Sequence, residues 1–260
     1  MAAITFDRPA GSAGIVSTAL ATADRWLRAY LRTPQLVVMG TVQGAMFLLI
    51  FRYVFGGALD GGGVPYVDFL VPGFVVTSVL FAGSSAAPGV AADAEAGFHD
   101  RLRSLPIPRL GVLVGRWLAD TAVCTWGLVV TVGIGFLVGF RLHGSVAGGV
   151  AAFGLCVLFG AAFAWLFIVI GLVSGSAQAA TGMSMLVFPF TFVSSAYVPV
   201  STMPGWMQAF ARHQPLTVMT DAVRSLALGQ PAGSAIAQSL LWTVALVLVF
   251  APLAVARFRR

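Results

Sequence analysis

The sequence predicts an all-α integral membrane protein with six transmembrane helices. The 260-residue chain is 58% hydrophobic and only 9% charged, whereas soluble domains are about 25% charged. Its apolar residues form long stretches that carry little charge, and a helix needs about 20 such residues to cross a bilayer. The 30 glycines and 13 prolines fit the same class, because membrane helices tolerate both residues better than soluble helices do.

Six apolar stretches are long enough to be spans. The uncharged region from Gly144 to Ala211 is too long for one helix, and a small, polar segment at residues 174–178 divides it in two. The predicted spans are Leu36–Phe55, Phe69–Ala91, Trp117–Phe140, Val146–Val173, Ala179–Pro199 and Ala235–Val255. The chain then divides into an N-terminal segment (1–34), a membrane domain (35–256) and a basic tail (257–260).

Arginine placement predicts the orientation of these spans. An even number of spans puts both termini on one side of the membrane. That side holds most of the 15 basic residues, and the opposite side holds only four of them: Arg52, Arg141, Arg212 and Arg224. Because cytoplasmic loops carry an excess of basic residues, both termini are predicted to be cytoplasmic, as is the loop between spans two and three.

The segment before the first span is predicted to be an amphipathic helix in the membrane interface. Arg25, Arg28 and Arg32 follow one helical face, and Leu20, Leu27 and Leu31 lie on the other side. Pro34 ends the pattern. A charged face opposite an apolar one is typical of a helix lying on a membrane. Contact with a cytoplasmic partner is a second possibility for this helix.

The loop between spans two and three is predicted to contain a short amphipathic helix. Phe98, Leu102 and Leu105 recur at i, i+4 and i+7, so they form one apolar stripe, and Pro106 ends the helix. Charged side chains surround the stripe: Glu95, Asp100, Arg101 and Arg103. Such a helix suits a groove on a soluble protein. The alternative is a solvated loop helix.

Two further helices are predicted on the outer side after span five. Pro204 and Pro215 each begin a helix, and Gly229 ends the second. Trp206 lies at interface depth in the first helix. The second helix places Leu216, Met219, Val223 and Leu226 on one face. These helices are predicted to restrict an exit path, with a shielding lid as the alternative.

One ionisable pair lies at membrane depth. Arg116 and Asp120 are spaced i, i+4 near the cytoplasmic end of span three. Ionisable groups inside a membrane are functional candidates by default. The alternative is a structural ion pair near the interface, in which each residue neutralises the charge of the other.

A few weaker polar positions occur in spans one and five. Gly40 and Gly44 permit close helix approach beside Gln43, which indicates a subunit interface or internal packing. Thr191, Ser194 and Tyr197 follow Pro189 and give span five a polar outer end. They are candidates for substrate contact, or for hydrogen bonds to carbonyls that the proline leaves unpaired.

Several classes of function are disfavoured. The chain contains no lysine, and a P-loop needs one on the nucleotide phosphates, so the sequence predicts no ATPase of its own. The arginines flank apolar stretches rather than forming a basic domain, which argues against nucleic-acid binding. Neither the three histidines nor the two cysteines show catalytic or metal-ligand spacing. An ion-coupled transporter would need ionisable residues at the membrane centre.

The motifs together resemble the permeases of ATP-binding-cassette (ABC) type 2 exporters, in particular their daunorubicin-resistance branch. The run from Arg101 to Arg109, with Gly115, Arg116 and Asp120 after it, is similar to the family's cytoplasmic loop. The run from Val198 to Trp206 is similar to the family's outer segment, as is the later pattern of Gln214-Pro215-Leu216-Thr217, Asp221, Arg224 and Gly229.

The resemblance implies a transporter with two permease and two ATPase subunits. It implies that the segment from Glu95 to Leu105 is the coupling helix and that the outer helices are re-entrant. The expected activity is export of a hydrophobic or amphipathic drug-like or lipid substrate across the bacterial cytoplasmic membrane, with a lipid-linked glycan or envelope lipid as the alternative. ATP and Mg²⁺ would be used by the ATPase chain, and this chain would bind no cofactor. The second permease is either a copy or a paralogue.

Overall fold

The computed structural model describes residues 14–32, 46–56, 65–98 and 108–259. These described parts are mostly helical, with short turns within them, and contain no strand. The helices are α1 (Ile15–Arg32), α2 (within 46–56, including the π-helix Phe51–Phe55), α3 (Tyr66–Ser84), α4 (Ala86–Glu95), α5 (Arg109–Leu137), α6 (Val146–Val173), α7 (Ala177–Met185), α8 (Val187–Phe192), α9 (Gly205–His213), α10 (Pro215–Leu228) and α11 (Gly233–Arg259).

Four helical segments of the described chain are long and apolar enough to cross a membrane. They are Tyr66–Glu95 (α3 with α4), α5, α6 and Gly233–Phe258 of α11. They correspond to predicted spans two, three, four and six. Residues 36–45 of predicted span one lie outside the described residues, so the count of six spans stays a prediction.

Predicted span five is broken in the structure. The single helix expected over Ala179–Pro199 is replaced by α7, a turn at Leu186, α8, and a further turn at residues 193–197. Pro189 explains the break, because it has no N–H to donate to the Met185 carbonyl four residues earlier. This segment is therefore two short helices rather than one continuous span.

Helix α6 lies at the centre of the bundle, where it contacts α3, α4, α5, α10 and α11. Its side chains Phe159, Phe167 and Ile168 are fully buried. Close approach depends on small residues, because a Cβ at Gly160 would overlap Val79 and one at Gly171 would overlap the Ala87 carbonyl. The helices that contact α6 therefore surround it tightly.

Helix α10 begins and ends where the sequence predicts. Pro215 is its first residue, and Gly229 follows its end with φ of 73°, a left-handed conformation that glycine adopts without strain. The helix packs against α3, α6 and α11. Its apolar face joins the main hydrophobic core, so α10 is an integral part of the bundle rather than a loosely attached loop.

Candidate functional site

Arg116 is the centre of a buried charge cluster on α5. Its Nε donates to Oδ2 of Asp120 at 2.9 Å, and its Nη1 donates to Oδ2 of Asp93 at 3.2 Å. Arg116 and Asp120 are only 4% and 3% exposed. The guanidinium therefore holds two carboxylates, one from its own helix and one from α4, and the pair predicted from spacing is part of a larger cluster.

Helix α1 completes this cluster from the N-terminal side. The Tyr30 hydroxyl donates to Oδ1 of Asp120 at 2.9 Å, and the Trp26 ring lies 4.1 Å from Cζ of Arg116, within cation–π range. Burial, together with the adjacent Asp120 carboxylate, raises the pKa of the Tyr30 hydroxyl well above its ordinary value. Tyr30 therefore remains a hydrogen-bond donor throughout the physiological pH range. Trp26, Tyr30 and Asp93 are members of this site that the spacing of Arg116 and Asp120 does not predict.

Small residues allow α1 to lie directly on α5. A Cβ at Gly115 would overlap the Ala19 carbonyl, and one at Gly111 would lie 2.9 Å from the Ile15 carbonyl oxygen. The buried face of α1 is accordingly made of small residues such as Ala19 and Ala23. Leu20 and Leu31, on the side predicted to face the membrane, remain exposed. The helix thus has a protein-facing side that apolar periodicity does not reveal.

The start of the predicted coupling helix also contacts α1. Phe98 lies 3.8 Å from Cζ of Arg25 and makes an edge contact with Trp26. Glu95 is the last residue of α4, and Gly97 follows it with φ of 66°. The expectation of one helix from Glu95 to Leu105 is therefore wrong at its start, because the left-handed glycine interrupts the helical path. The other predicted coupling residues lie outside the described residues: Asp100, Arg101, Leu102, Arg103 and Leu105.

At the opposite end, Arg224 of α10 joins the turn at residues 193–197 to the first turn of α3. Its Nη2 donates to the carbonyls of Ser195 and Phe69 at 2.8 and 3.1 Å, and its Nη1 donates to Oδ1 of Asp221 at 3.2 Å. Burial lowers the pKa of the guanidinium to about 10, so Arg224 stays charged at neutral pH. The Ser195 hydroxyl also donates to Asp221. These bonds fix the turn at residues 193–197 between α3 and α10.

The polar residues predicted near the end of span five face the interior of the chain. Thr191 and Ser194 are fully buried and donate to the carbonyls of Phe188 and Thr191. The Tyr197 hydroxyl donates to Thr77 at 3.0 Å. They present no surface to a substrate in this conformation, because all three side chains are buried. Gly40, Gln43 and Gly44 lie outside the described residues.

The residues predicted to form an outer gate divide into two groups. Leu216, Met219 and Val223 of α10 are buried together, with at most 4% of each exposed. Trp206 does not join them, since it is 79% exposed. Helix α9 buries only Ala211, and its aromatic side chains Trp206 and Phe210 are exposed.

The described residues contain no group of three or more His, Cys, Asp or Glu side chains that would hold a metal ion. Cys124 and Cys156 are buried free thiols in the bundle. The chemistry of the site is therefore that of buried ion pairs and hydrogen bonds between helices, with one cluster toward the end of the bundle where α1 packs and another toward the end where α10 packs.

Comparison with known proteins gives a consistent result. A family model described as ABC-2 type transporter matches residues 19–228. The daunorubicin resistance ABC transporter permease protein DrrB1 of Streptomyces coeruleorubidus is 33% identical over 254 residues, covering 97% of this chain and 89% of that protein. The probable doxorubicin resistance permease DrrC of Mycobacterium tuberculosis is 27% identical, covering 91% of this chain and 84% of the relative. A second Mycobacterium tuberculosis permease, DrrB, is 26% identical over 96% of this chain and 93% of the relative.

Proposed function

Because this chain belongs to the ABC-2 type transporter family and is a permease of an ABC exporter, we propose that it exports a hydrophobic or amphipathic drug-like molecule. It works with two copies of a separate ATPase subunit and with a second permease. The chain crosses the bacterial cytoplasmic membrane six times, and both of its termini lie in the cytoplasm. The names of the relatives, which refer to daunorubicin and doxorubicin resistance, support a drug-like substrate. An envelope lipid or lipid-linked glycan is the second candidate.

The Arg116 cluster is the observation that carries this proposal. It joins α1, α4 and α5, and the last two of these helices come before and after residues 99–107 in the sequence, the segment proposed to contact the ATPase. Charges buried in a bundle are held firmly, because separating them leaves uncompensated charge in a poorly solvated place. A push on this segment would therefore move the three helices as one body. Glu95 and Phe98 belong to the proposed coupling surface, together with Asp100, Arg101, Leu102, Arg103 and Leu105.

The break between α7 and α8 supports the presence of a second permease. Met185 and Leu186 are 64% and 66% exposed at the break. The Met185 carbonyl lacks its helical donor because of Pro189. Irregular backbone at membrane depth is tolerated only where protein covers it or where it lines a water-filled cavity. We therefore assign this face to the contact with the second permease or to the export path between the two subunits.

The proposed function is tested by reconstituting the chain in lipid with a candidate ABC ATPase subunit from the same organism. The pair should hydrolyse ATP, and inside-out vesicles should accumulate daunorubicin when ATP is added. The chain alone should hydrolyse none. Saturable hydrolysis by the isolated chain would contradict the two-subunit proposal, and accumulation of a fluorescent lipid but no drug would favour the second candidate.

The proposed coupling depends on close contact between α1 and α5. Gly115→Ala should separate the helices, because the new methyl group would overlap the Ala19 backbone and overpacking typically destabilises by about 1–3 kcal/mol. We expect drug-stimulated ATP hydrolysis to fall several-fold while the protein still inserts. Gly127→Ala is the matched control on the same helix, since its methyl group would lie at an ordinary 3.8 Å from Ala82. Equal activity of the two variants would exclude a role for this contact.

The proposed outer gate can be examined by cysteine labelling. Leu216 and Val223 are 3% and 4% exposed, so cysteines there should react poorly with a membrane-impermeant maleimide. A cysteine at exposed Gln230 should react readily. During ATP-driven export, labelling at Leu216 should rise if α10 moves. Fast labelling at all three positions without ATP would mean that α10 is not packed in the membrane-embedded protein.

A further inference from the structure

An open apolar groove runs along α5, α6 and α11 and is separate from both polar clusters. Its volume is about 490 Å³. On α11 the smaller residues Ala251, Pro252 and Ala256 line it together with Val247, Leu248 and Val255, and Leu110 of α5 and Trp165 of α6 are bulkier neighbours. The groove exists because these small side chains leave space that the surrounding larger ones do not fill.

The dimensions of the groove suit a lipid chain. It follows α11 from Val247 to Ala256, which is about 14 Å at a helical rise of about 1.5 Å per residue. Half of a bilayer's hydrocarbon core is about 15 Å thick. All three helices are candidate spans, so the groove faces one leaflet over nearly its full depth.

Positive charge lies at one end of the groove. Leu110 and Ala256 line it, and the residues next to them in the chain are Arg109 and Arg257, both exposed. Helix α5 begins and α11 ends at this position, so both arginines lie at the level where a helix leaves the hydrocarbon region. Arginine binds phosphate through charge-assisted hydrogen bonds, and basic residues beside a membrane attract anionic lipids.

We propose that this groove binds an anionic phospholipid from the leaflet on the Arg109 side. One acyl chain lies along α11 between Val247 and Ala256, and the phosphate lies at Arg109 and Arg257. The same arginines repel a cationic amphiphile, so this ligand differs in charge from a positively charged drug. A soluble protein is disfavoured as the occupant, because the groove lies at membrane depth.

The test uses the purified permease in nanodiscs with phosphatidylglycerol or phosphatidylcholine that carries a photoreactive group on one acyl chain. Mass spectrometry should map crosslinks to residues 247–256. Phosphatidylglycerol should label these residues about 30-fold more than phosphatidylcholine, given the attraction expected from two basic residues. Equal labelling by both lipids would overturn the proposed headgroup contact.

Paired variants test the two halves of the site separately. Ala251→Phe should fill the groove and abolish labelling by both lipids, while Val249→Phe, at an exposed position of the same helix that does not line the groove, should not. Arg109→Gln with Arg257→Gln should remove the preference for phosphatidylglycerol, whereas Arg212→Gln at the other end of the bundle should leave it intact. If Ala251→Phe does not fold, the arginine variants still show whether the groove selects an anionic headgroup. An unchanged preference, or efficient disulfide formation between two permeases through Leu248→Cys, would overturn the proposal.

Discussion

Replacing Arg116 with methionine is expected to destabilise the protein by about 3–5 kcal/mol, the usual result of removing one partner from a buried ion pair. Replacing Arg116 should destabilise the protein more than replacing Asp120, because the loss of Arg116 leaves the carboxylates of Asp120 and Asp93 without their shared cation. Unfolding in mixed micelles, followed by circular dichroism, measures the effect. Export activity should be lost along with stability.

Two further variants show whether the loss comes from uncompensated charge. Arg116→Met combined with Asp120→Asn removes both charges and leaves an amide oxygen that accepts from Tyr30, so it should be more stable than Arg116→Met alone. Arg28→Met is the surface control, because Arg28 pairs with Asp24 at the same i, i+4 spacing but is 68% exposed, and such pairs contribute about 0.3–0.5 kcal/mol. Equal losses in the single and double variants would argue against the ion-pair interpretation.

Gly73→Ala is expected to have the second largest effect, with a loss of about 3 kcal/mol, at the upper end for overpacking. A methyl group at Gly73 would overlap the carbonyl of Ala196. The turn cannot move away easily, because Arg224 bonds the Ser195 carbonyl and the Ser195 N–H donates to Thr217. Stability against unfolding and export activity should both fall.

The control for this variant is Gly133→Ala, since nothing lies within 4 Å of the added methyl group. Its stability should be unchanged or rise by up to about 1 kcal/mol, because alanine is the better helix former. A Gly73→Ala protein that melts and transports like Gly133→Ala would show that the turn at residues 193–197 is loosely held.

Local patterns predicted the features that depend on neighbouring residues along the chain. The i, i+4 spacing of Arg116 and Asp120, the helix start at Pro215 and the stop at Gly229 all agree with the structure. Asp93 and Tyr30 could not be paired with Arg116 in this way, because they come from other helices. Their positions depend on how α1 and α4 pack against α5, and one sequence carries no direct record of that packing.

Apolar periodicity was also a poor guide where small residues form the contact. The buried face of α1 consists of alanine and threonine, which a search for leucine stripes overlooks. The break in predicted span five has a visible cause in Pro189. Hydrophobicity alone does not predict the break, because the segment remains apolar on both sides of the turn.

The hydrogen bond between Tyr30 and Asp120 joins residues that are 90 positions apart, which constrains the order of biosynthesis. At a translation rate of about 5–20 residues per second, α1 emerges from the ribosome roughly 5–20 seconds before its acceptor. At the end of that interval Arg116 and Asp120 emerge together, already spaced as a mutually neutralising pair within one nascent helix. Helix α1 has no α5 to pack against until α5 is made, so the N-terminal helix is made first but docks late in assembly.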